Sequence, residues 1–292
     1  MPHLTRRGFT LVELLIALTL LAIVTAAFYR SLVTNQRVYQ KQTQVIDLQQ
    51  NMRAAAAILP QELREVDASD SDITAMSATS ITFRAHRWMG FICSPPPTGP
   101  LAAFAGTTMI LRRDPFYGRA INTTTPDVMF VRYEGDDGTR KDDGWAKAQP
   151  TLAVSSLACP DGKPGQLVTM NLNLGALPNI PGAIVAGSPV LGYETVTYGL
   201  YQPTAGGDWF IGLTTANGTQ PLIGPLQPNG FSLAYYDSTG AVTAARDRVA
   251  RVDIVVRGLT NQQVRTNTGT SMLARVVDSV RTSVAVRNNR RF

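Results

Sequence analysis

The first long pattern in the chain is an apolar run. Residues 14–29, LLIALTLLAIVTAAFY, carry no charged side chain, and across residues 9–29 Glu13 is the single charge. A helix of that length spans roughly 31 Å at about 1.5 Å per residue, the thickness of one bilayer core. Helical spacing continues beyond it. Val38, Val45, Leu48, Met52, Ala55, Leu59, Leu63 and Val66 recur at intervals of three, four or seven, and Gln36, Arg37, Gln40, Lys41, Gln44, Gln49, Gln50 and Arg53 occupy the other faces. The stripe strengthens after Val45, so the second half of this stalk is expected to lie on a globular domain, with residues 34–44 solvated. Pro60 removes a backbone donor and crowds the preceding turn. It predicts either one kinked helix reaching about Val66 or two separate helices.

From Asp67 the period changes to alternation. Ser80–Arg84, Thr107–Leu111, Val128–Tyr133, Val168–Leu174, Thr195–Tyr201, Trp209–Leu213 and Phe231–Tyr236 read as strands. Two further runs are clearer. In Arg251–Arg257, Val252, Ile254 and Val256 share a face; in Val280–Arg287, Val280, Thr282, Val284 and Val286 do. Gly- and Pro-rich stretches at 94–100, 177–182 and 217–230 separate the runs, and Asp237-Ser238-Thr239-Gly240 has the chemistry of a hairpin turn. The expected fold class is α+β: one long amino-terminal helix, its first half membrane-spanning, packed on a large, mostly antiparallel sheet.

Composition adjusts this picture modestly. The chain has 292 residues, ample to bury a core, with 44% hydrophobic and only 16% charged residues. Its formal charge is +6, but most arginines alternate with Val or Thr in strand-like runs, as on a solvated sheet face. A nucleic-acid footprint would need them clustered on one face. Cys93 and Cys159 are the two cysteines, and neither sits in a C-x-x-C pair; His3 and His86 are the two histidines. That set is poor for zinc. A Cys93–Cys159 disulfide becomes available if the domain lies outside the cytoplasm, with two buried thiols as the alternative.

The amino terminus decides between three readings. A cleaved secretory signal would place Arg6 and Arg7 before an apolar core, but a carboxylate inside that core and uninterrupted helix after it both count against this. An ordinary membrane anchor leaves Glu13 unexplained, since an acid near the apolar end of a membrane helix costs on the order of a few kcal/mol. The third reading takes in every part. RRGFTLVELLIA, with Gly8, Phe9, Thr10, Leu11, Val12 and Glu13, resembles the class III leader and mature start of type IV prepilins and type II secretion pseudopilins.

That resemblance implies a chemistry done to the chain. Prepilin peptidase would cut between Gly8 and Phe9, the new amine of Phe9 would be N-methylated, and Glu13 would compensate the amine of a neighbouring subunit during assembly. The layout implied is a cleaved leader at 1–8, a transmembrane and filament-core segment at 9–29, a stalk helix at 30–66 and a β-rich head at 67–292. The head would lie outside the cytoplasm, first at the inner membrane and then in a pilus or pseudopilus. The large head and the carboxy-terminal runs NGFSLAYYDSTG, RVARVDIVVRG and VRTSVAVRNN resemble PilW-type minor pilins and J-type pseudopilins. Residues of about 85–225 carry no family signal.

The function implied is structural: a minor pilin that primes or caps a type IV pilus, with no cofactor and no enzymatic activity. The alternatives are a J-type pseudopilin in a secretion pseudopilus tip and a competence-type tip pilin that binds DNA. Partners would be other pilins or pseudopilins, prepilin peptidase, the inner-membrane assembly platform and the inner membrane. Catalytic motifs are missing: His86 is the single histidine after the leader, with no G-x-S-x-G sequence and no phosphate loop. Asp136, Asp137, Asp142 and Asp143 are calcium candidates by clustering, but their spacing is not that of an EF-hand and two solvated turns read better. Trp88, Phe91, Phe116, Tyr117 and Trp145 fall in expected irregular stretches, with packing as their simplest role.

Overall fold

The computed structural model describes residues 10–96, 105–124, 127–134, 143–172, 184–265 and 273–287. Helix α1 (Leu11–Arg64) contains Pro60 and continues past it. Of the two readings left open there, one continuous helix is what the chain forms; Gln61, Glu62, Leu63 and Arg64 are strong helix formers that carry it on. The strands that follow are β1 (Ile73–Met76), β2 (Ser80–Ser94), β3 (Ala105–Arg112), β4 (Tyr117–Gly118), β5 (Val128–Tyr133), β6 (Gly144–Ala158), β7 (Pro164–Leu172), β8 (Pro189–Tyr201), β9 (Trp209–Thr215), β10 (Gly218–Tyr236), β11 (Arg251–Leu259), β12 (Val264–Arg265), β13 (Leu273–Ala274) and β14 (Val277–Ala285).

The chain divides into two compact units, Met1–Gln50 with Leu259–Asp278, and Asn51–Gly258 with Ser279–Phe292. In the first, β12 and β13 pair antiparallel as a short ribbon. The ribbon's base is closed by reciprocal bonds: the Thr260 N–H donates to the Val276 carbonyl, and the Val276 N–H to Thr260 Oγ1. The Gln262 N–H donates to Gln44 Oε1 on α1 at 3.1 Å. Arg37, Gln40, Lys41 and Gln44 of the helix and Gln262, Gln263, Val264 and Leu273 of the ribbon line a cleft of about 410 Å³.

The second unit holds two architectures on one continuous hydrogen-bonded sheet. The first is a helix-backed sheet. Met52, Ala55, Leu59 and Leu63 of α1 are buried, as are Ile81 and Phe83 on β2, Val196 and Tyr198 on β8, Ile211 on β9, Phe231 and Leu233 on β10, and Val252 and Ile254 on β11. Cross-strand register puts these strand residues on one face: Ile81 opposite Tyr198, Phe83 opposite Val196, Leu233 opposite Ile254. Asn51 Nδ2 donates to the Gly224 carbonyl at 2.9 Å, fixing the helix to β10.

The second architecture is a closed ring. β2 pairs with β3, β3 with β7, β7 with β6, β6 with β5, β5 with β8, and β8 back with β2, every pair antiparallel. Its interior is a packed core to which each of these strands contributes: Trp88 and Ile92, Met109 and Leu111, Met129 and Val131, Ala146 and Ala148, Val168 and Met170, and Val190. A small ring of this kind is filled by its own side chains. β2 and β8 are shared: their pairing shifts register between His86 and Trp88, and the chain passes there from sheet to ring.

Charged residues sit at that joint. Arg87 Nη1 donates to both oxygens of Glu62 at 3.0 Å, and its Nε donates to Glu194 Oε2 at 3.0 Å. Arg119 donates to Asp127, whose other oxygen accepts the indole N–H of buried Trp88 at 3.0 Å. Arg84, nearly buried, pairs with Asp72 at 3.0 Å and lies over the Phe130 ring.

Two expectations are corrected here. Residues 217–230 do not separate strands; Gly218–Tyr236 is a single strand. Its prolines are tolerated because the pairing with β9 shifts register between Pro221 and Ile223 and again between Ile223 and Leu226, where a missing donor costs little. The aromatics at 88, 91, 117 and 145 lie on strands β2, β4 and β6, and only Phe116 of that set is outside one. Trp88 is fully buried and stacks on Phe116 with ring centroids 5.6 Å apart. The β11 and β14 expectations agree with the structure: Val252, Ile254, Val256 and Val284 are buried while Arg251, Arg257, Arg281 and Ser283 are exposed.

Candidate processing and assembly segment

Gly8 and Phe9 lie outside the described residues. Thr10 is the first described residue, and it starts the helix. Its carbonyl accepts the Leu14 N–H at 3.2 Å and its Oγ1 accepts the Glu13 N–H at 3.3 Å. That is N-cap geometry with Glu13 at the third helical position, the residue pattern of a capping box. A carboxylate in the first turn also meets the positive end of the helix dipole. Glu13 therefore has a local reason to be in the helix, and Thr10-x-x-Glu13 spells it in the sequence.

Beyond Glu13 the segment to Tyr29 carries no charged side chain. From Leu11 to Tyr29 its large apolar side chains are between 53% and 79% exposed, so nothing among the described residues covers them. The Thr19 and Thr25 hydroxyls donate back to the Ile16 and Leu21 carbonyls at 2.8 and 2.7 Å. Backbone and hydroxyl donors are thus used up inside the helix, as a hydrocarbon environment requires. Among the described residues α1 is the one helix long and apolar enough to cross a membrane.

The remaining candidates lie elsewhere. Cys93, on β2, and Cys159, just after β6, are joined in a disulfide with their Cα atoms 5.6 Å apart. Asp143 accepts a bond from Arg132 Nη2 at 2.8 Å; Asp136, Asp137 and Asp142 lie outside the described residues. Among the described residues no group of three or more His, Cys, Asp or Glu side chains is placed to hold a metal. His86 Nδ1 stands 3.8 Å from Glu65 Oε2. The clasp of Arg87 on Glu62 and Glu194 joins residues far apart in the chain and left no signal in the sequence.

Residues 4–29 match the family model of the prokaryotic N-terminal methylation motif. No curated protein and no solved structure matches the chain. The motif supports the prepilin and pseudopilin family, whose role is structural rather than catalytic, with processing by prepilin peptidase and assembly with other pilins. The exposed apolar helix and the sheet-rich head fit that layout, and the helix fits membrane anchoring. Residues 4–29 thus resemble the amino terminus of type IV pilin-like proteins.

Proposed function

We propose that the chain is a minor pilin, a low-abundance subunit that is cut between Gly8 and Phe9, N-methylated on Phe9, and built into a type IV pilus that it primes or caps. The observation carrying this reading is Glu13: one carboxylate on an exposed helical segment that has no other charge, four residues past the expected new terminus. An amine and a carboxylate are each costly in an apolar bundle and far less so together. Glu13 would answer the Phe9 amine of a neighbouring subunit, residues 9–29 would anchor the chain in the inner membrane, and residues 67–292 would form the head outside the cytoplasm.

The test is Glu13→Ala in cells that assemble the filament. Mass spectrometry of the amino terminus should still find N-methylphenylalanine at position 9, while incorporation into sheared filaments falls at least about ten-fold, as expected for loss of a paired charge in an apolar bundle. Glu13→Ala that incorporates normally would sink the assembly role, and a mature chain that retains residues 1–8 would sink the processing role. Recovery in surface filaments rather than in a periplasmic pseudopilus separates the minor-pilin reading from the secretion one.

A further inference from the structure

A cleft of about 350 Å³ lies beside the joint of sheet and ring, within the second compact unit. One wall is made by two cross-strand pairs of β2 and β8, His86 opposite Tyr193 and Met89 opposite Leu191. In an unbroken strand, residues 86 and 89 would face opposite ways. The register shift between His86 and Trp88 puts one extra residue into β2, so both pairs line the same cleft. Glu65, just after α1, and Asp67 lie across from them, with Arg287, just after β14.

Asp67 is 3% exposed. Its Oδ1 accepts bonds from the Ser69 N–H, the Ser69 hydroxyl and the Asp70 N–H. Its Oδ2 is buried with no hydrogen-bond partner. A carboxylate oxygen in that position has lost its hydration and gained no donor in return. The Glu65 carboxylate is 61% exposed and stands 3.8 Å from His86 Nδ1, beyond hydrogen-bond distance. With His86 neutral, two carboxylates face one guanidinium, and the lining is left with one negative charge to be met. Among the described residues the ligating groups are too few to hold a metal. The cleft therefore calls for a positively charged hydrogen-bond donor, and Met89, Leu191 and Tyr193 call for an apolar body behind it.

We propose that this cleft binds a primary ammonium group on a short apolar stem. The ammonium donates to Asp67 Oδ2 and to the Glu65 carboxylate, and the stem lies against Met89, Leu191 and the Tyr193 ring. An ammonium is a compact charge with three donors, enough for both carboxylates at once. Beside an aromatic ring it also gains from the negative face of the π-system. Arg287 limits the charge that the cleft accepts: one ammonium neutralises the lining, and a second would be repelled. A free alkylamine and a lysine side chain carry this same group. The site does not depend on the assembly reading above.

The full chain in detergent micelles, carrying carbon-13 in its methionine methyls, tests this with n-butylamine as the probe. The Met89 methyl signal, assigned with Met89→Leu, should shift and saturate with a Kd on the order of millimolar, the range for so small a ligand. Met129, in the ring core, should not move. Pentanoate, with a carboxylate in place of the ammonium, should leave Met89 where it is. A saturable shift with N-acetyl-lysine-methylamide as well marks a peptide side chain as the source; a shift with butylamine alone marks a free amine. Asp67→Asn keeps the Oδ1 acceptor and should weaken binding about ten-fold, as loss of a hydrogen bond to a charged group does. Glu65→Gln changes an exposed side chain, leaves the fold intact and should weaken binding several-fold. Arg287→Gln removes the competing cation and should tighten it. No saturable Met89 shift, an equal response to pentanoate, a Kd unchanged by Glu65→Gln, or weaker binding in Arg287→Gln overturns the site.

Discussion

The closed ring and the helix-backed sheet share β2 and β8 yet solve burial differently. The sheet has one face covered by α1 and the other open, so β11 alternates more and less buried side chains along its length, and β14 does so from Val280 onward. The ring folds its buried face inward and packs it with a mixed set, small Ala146 and Ala148 beside Trp88 and three methionines. It also carries the disulfide, from β2 to the end of β6. Such a ring closes through contacts distant in sequence, which is where a covalent tie contributes most.

The comparison breaks most sharply at that tie. Replacing Cys93 and Cys159 together by Ala should cost about 4 kcal/mol in the chain-entropy picture of a loop this long; the closed loop spans 66 residues. Urea melts measure the loss. Hydrogen exchange should show protection falling first in β3, β6 and β7 while β10 and β11 hold. Equal loss in both regions would mean that the ring and sheet unfold as one unit.

Next comes Gly192. A Cβ built there would stand 1.9 Å from Cε2 of Trp88, fully buried in the ring core. Gly192→Ala should destabilise by about 2–3 kcal/mol through overpacking, with loss of the near-ultraviolet signal expected of a fixed tryptophan. An unchanged melt would show that the ring interior has slack.

The joint is the third place to press. Glu62 on α1 and Glu194 on β8 both engage Arg87 on β2. A double-mutant cycle of Glu62→Ala with Arg87→Ala should return a coupling of about 1–2 kcal/mol, above a surface pair because these side chains are largely covered. Coupling near zero would leave the helix's hold on the sheet to its apolar contacts and the Asn51–Gly224 hydrogen bond.

The smallest effect is a titration. Burial, reinforced by the charge of Glu62, pushes the Tyr198 phenol from 10.0 up to about 12. Burial also raises Tyr235, on β10. A phenol whose folded value is raised contributes fully below its unfolded value, and that contribution fades as pH climbs from about 10 towards 12. Stability should therefore decline above pH 10 with the helix-backed sheet loosening before the ring, and Tyr198→Phe should make the decline shallower. A ring that loosens first at alkaline pH would reverse the assignment.

The difference between the regions also explains what could be read in advance. Val252, Ile254 and Val256 announced β11 because one buried face prints period two into the sequence. The alternation of β2 is legible only to Arg84, because Arg84, His86 and Arg87 interrupt its apolar pattern; Asp72, Glu65, Glu62 and Glu194, which stand against them, come from other parts of the chain. β6 has Pro150 inside it, which removes a ladder donor and hides the strand in the sequence. The ring lies largely in residues that resemble no family, whereas residues 4–29 match the N-terminal methylation motif.

Sequence alone determined the amino-terminal segment of this protein: an apolar span, a methylation motif at residues 4–29 with Glu13 inside it, and a stalk striped at helical spacing. Those are local facts, since helical period, charge in an apolar run and a peptidase motif all reside within a few turns of chain. Tertiary structure alone decided that β2 through β8 close on themselves, that Cys93 meets Cys159, and that Arg87 holds helix, sheet and ring at one point. Each of these joins residues many positions apart, and no local periodicity encodes which strands will find one another.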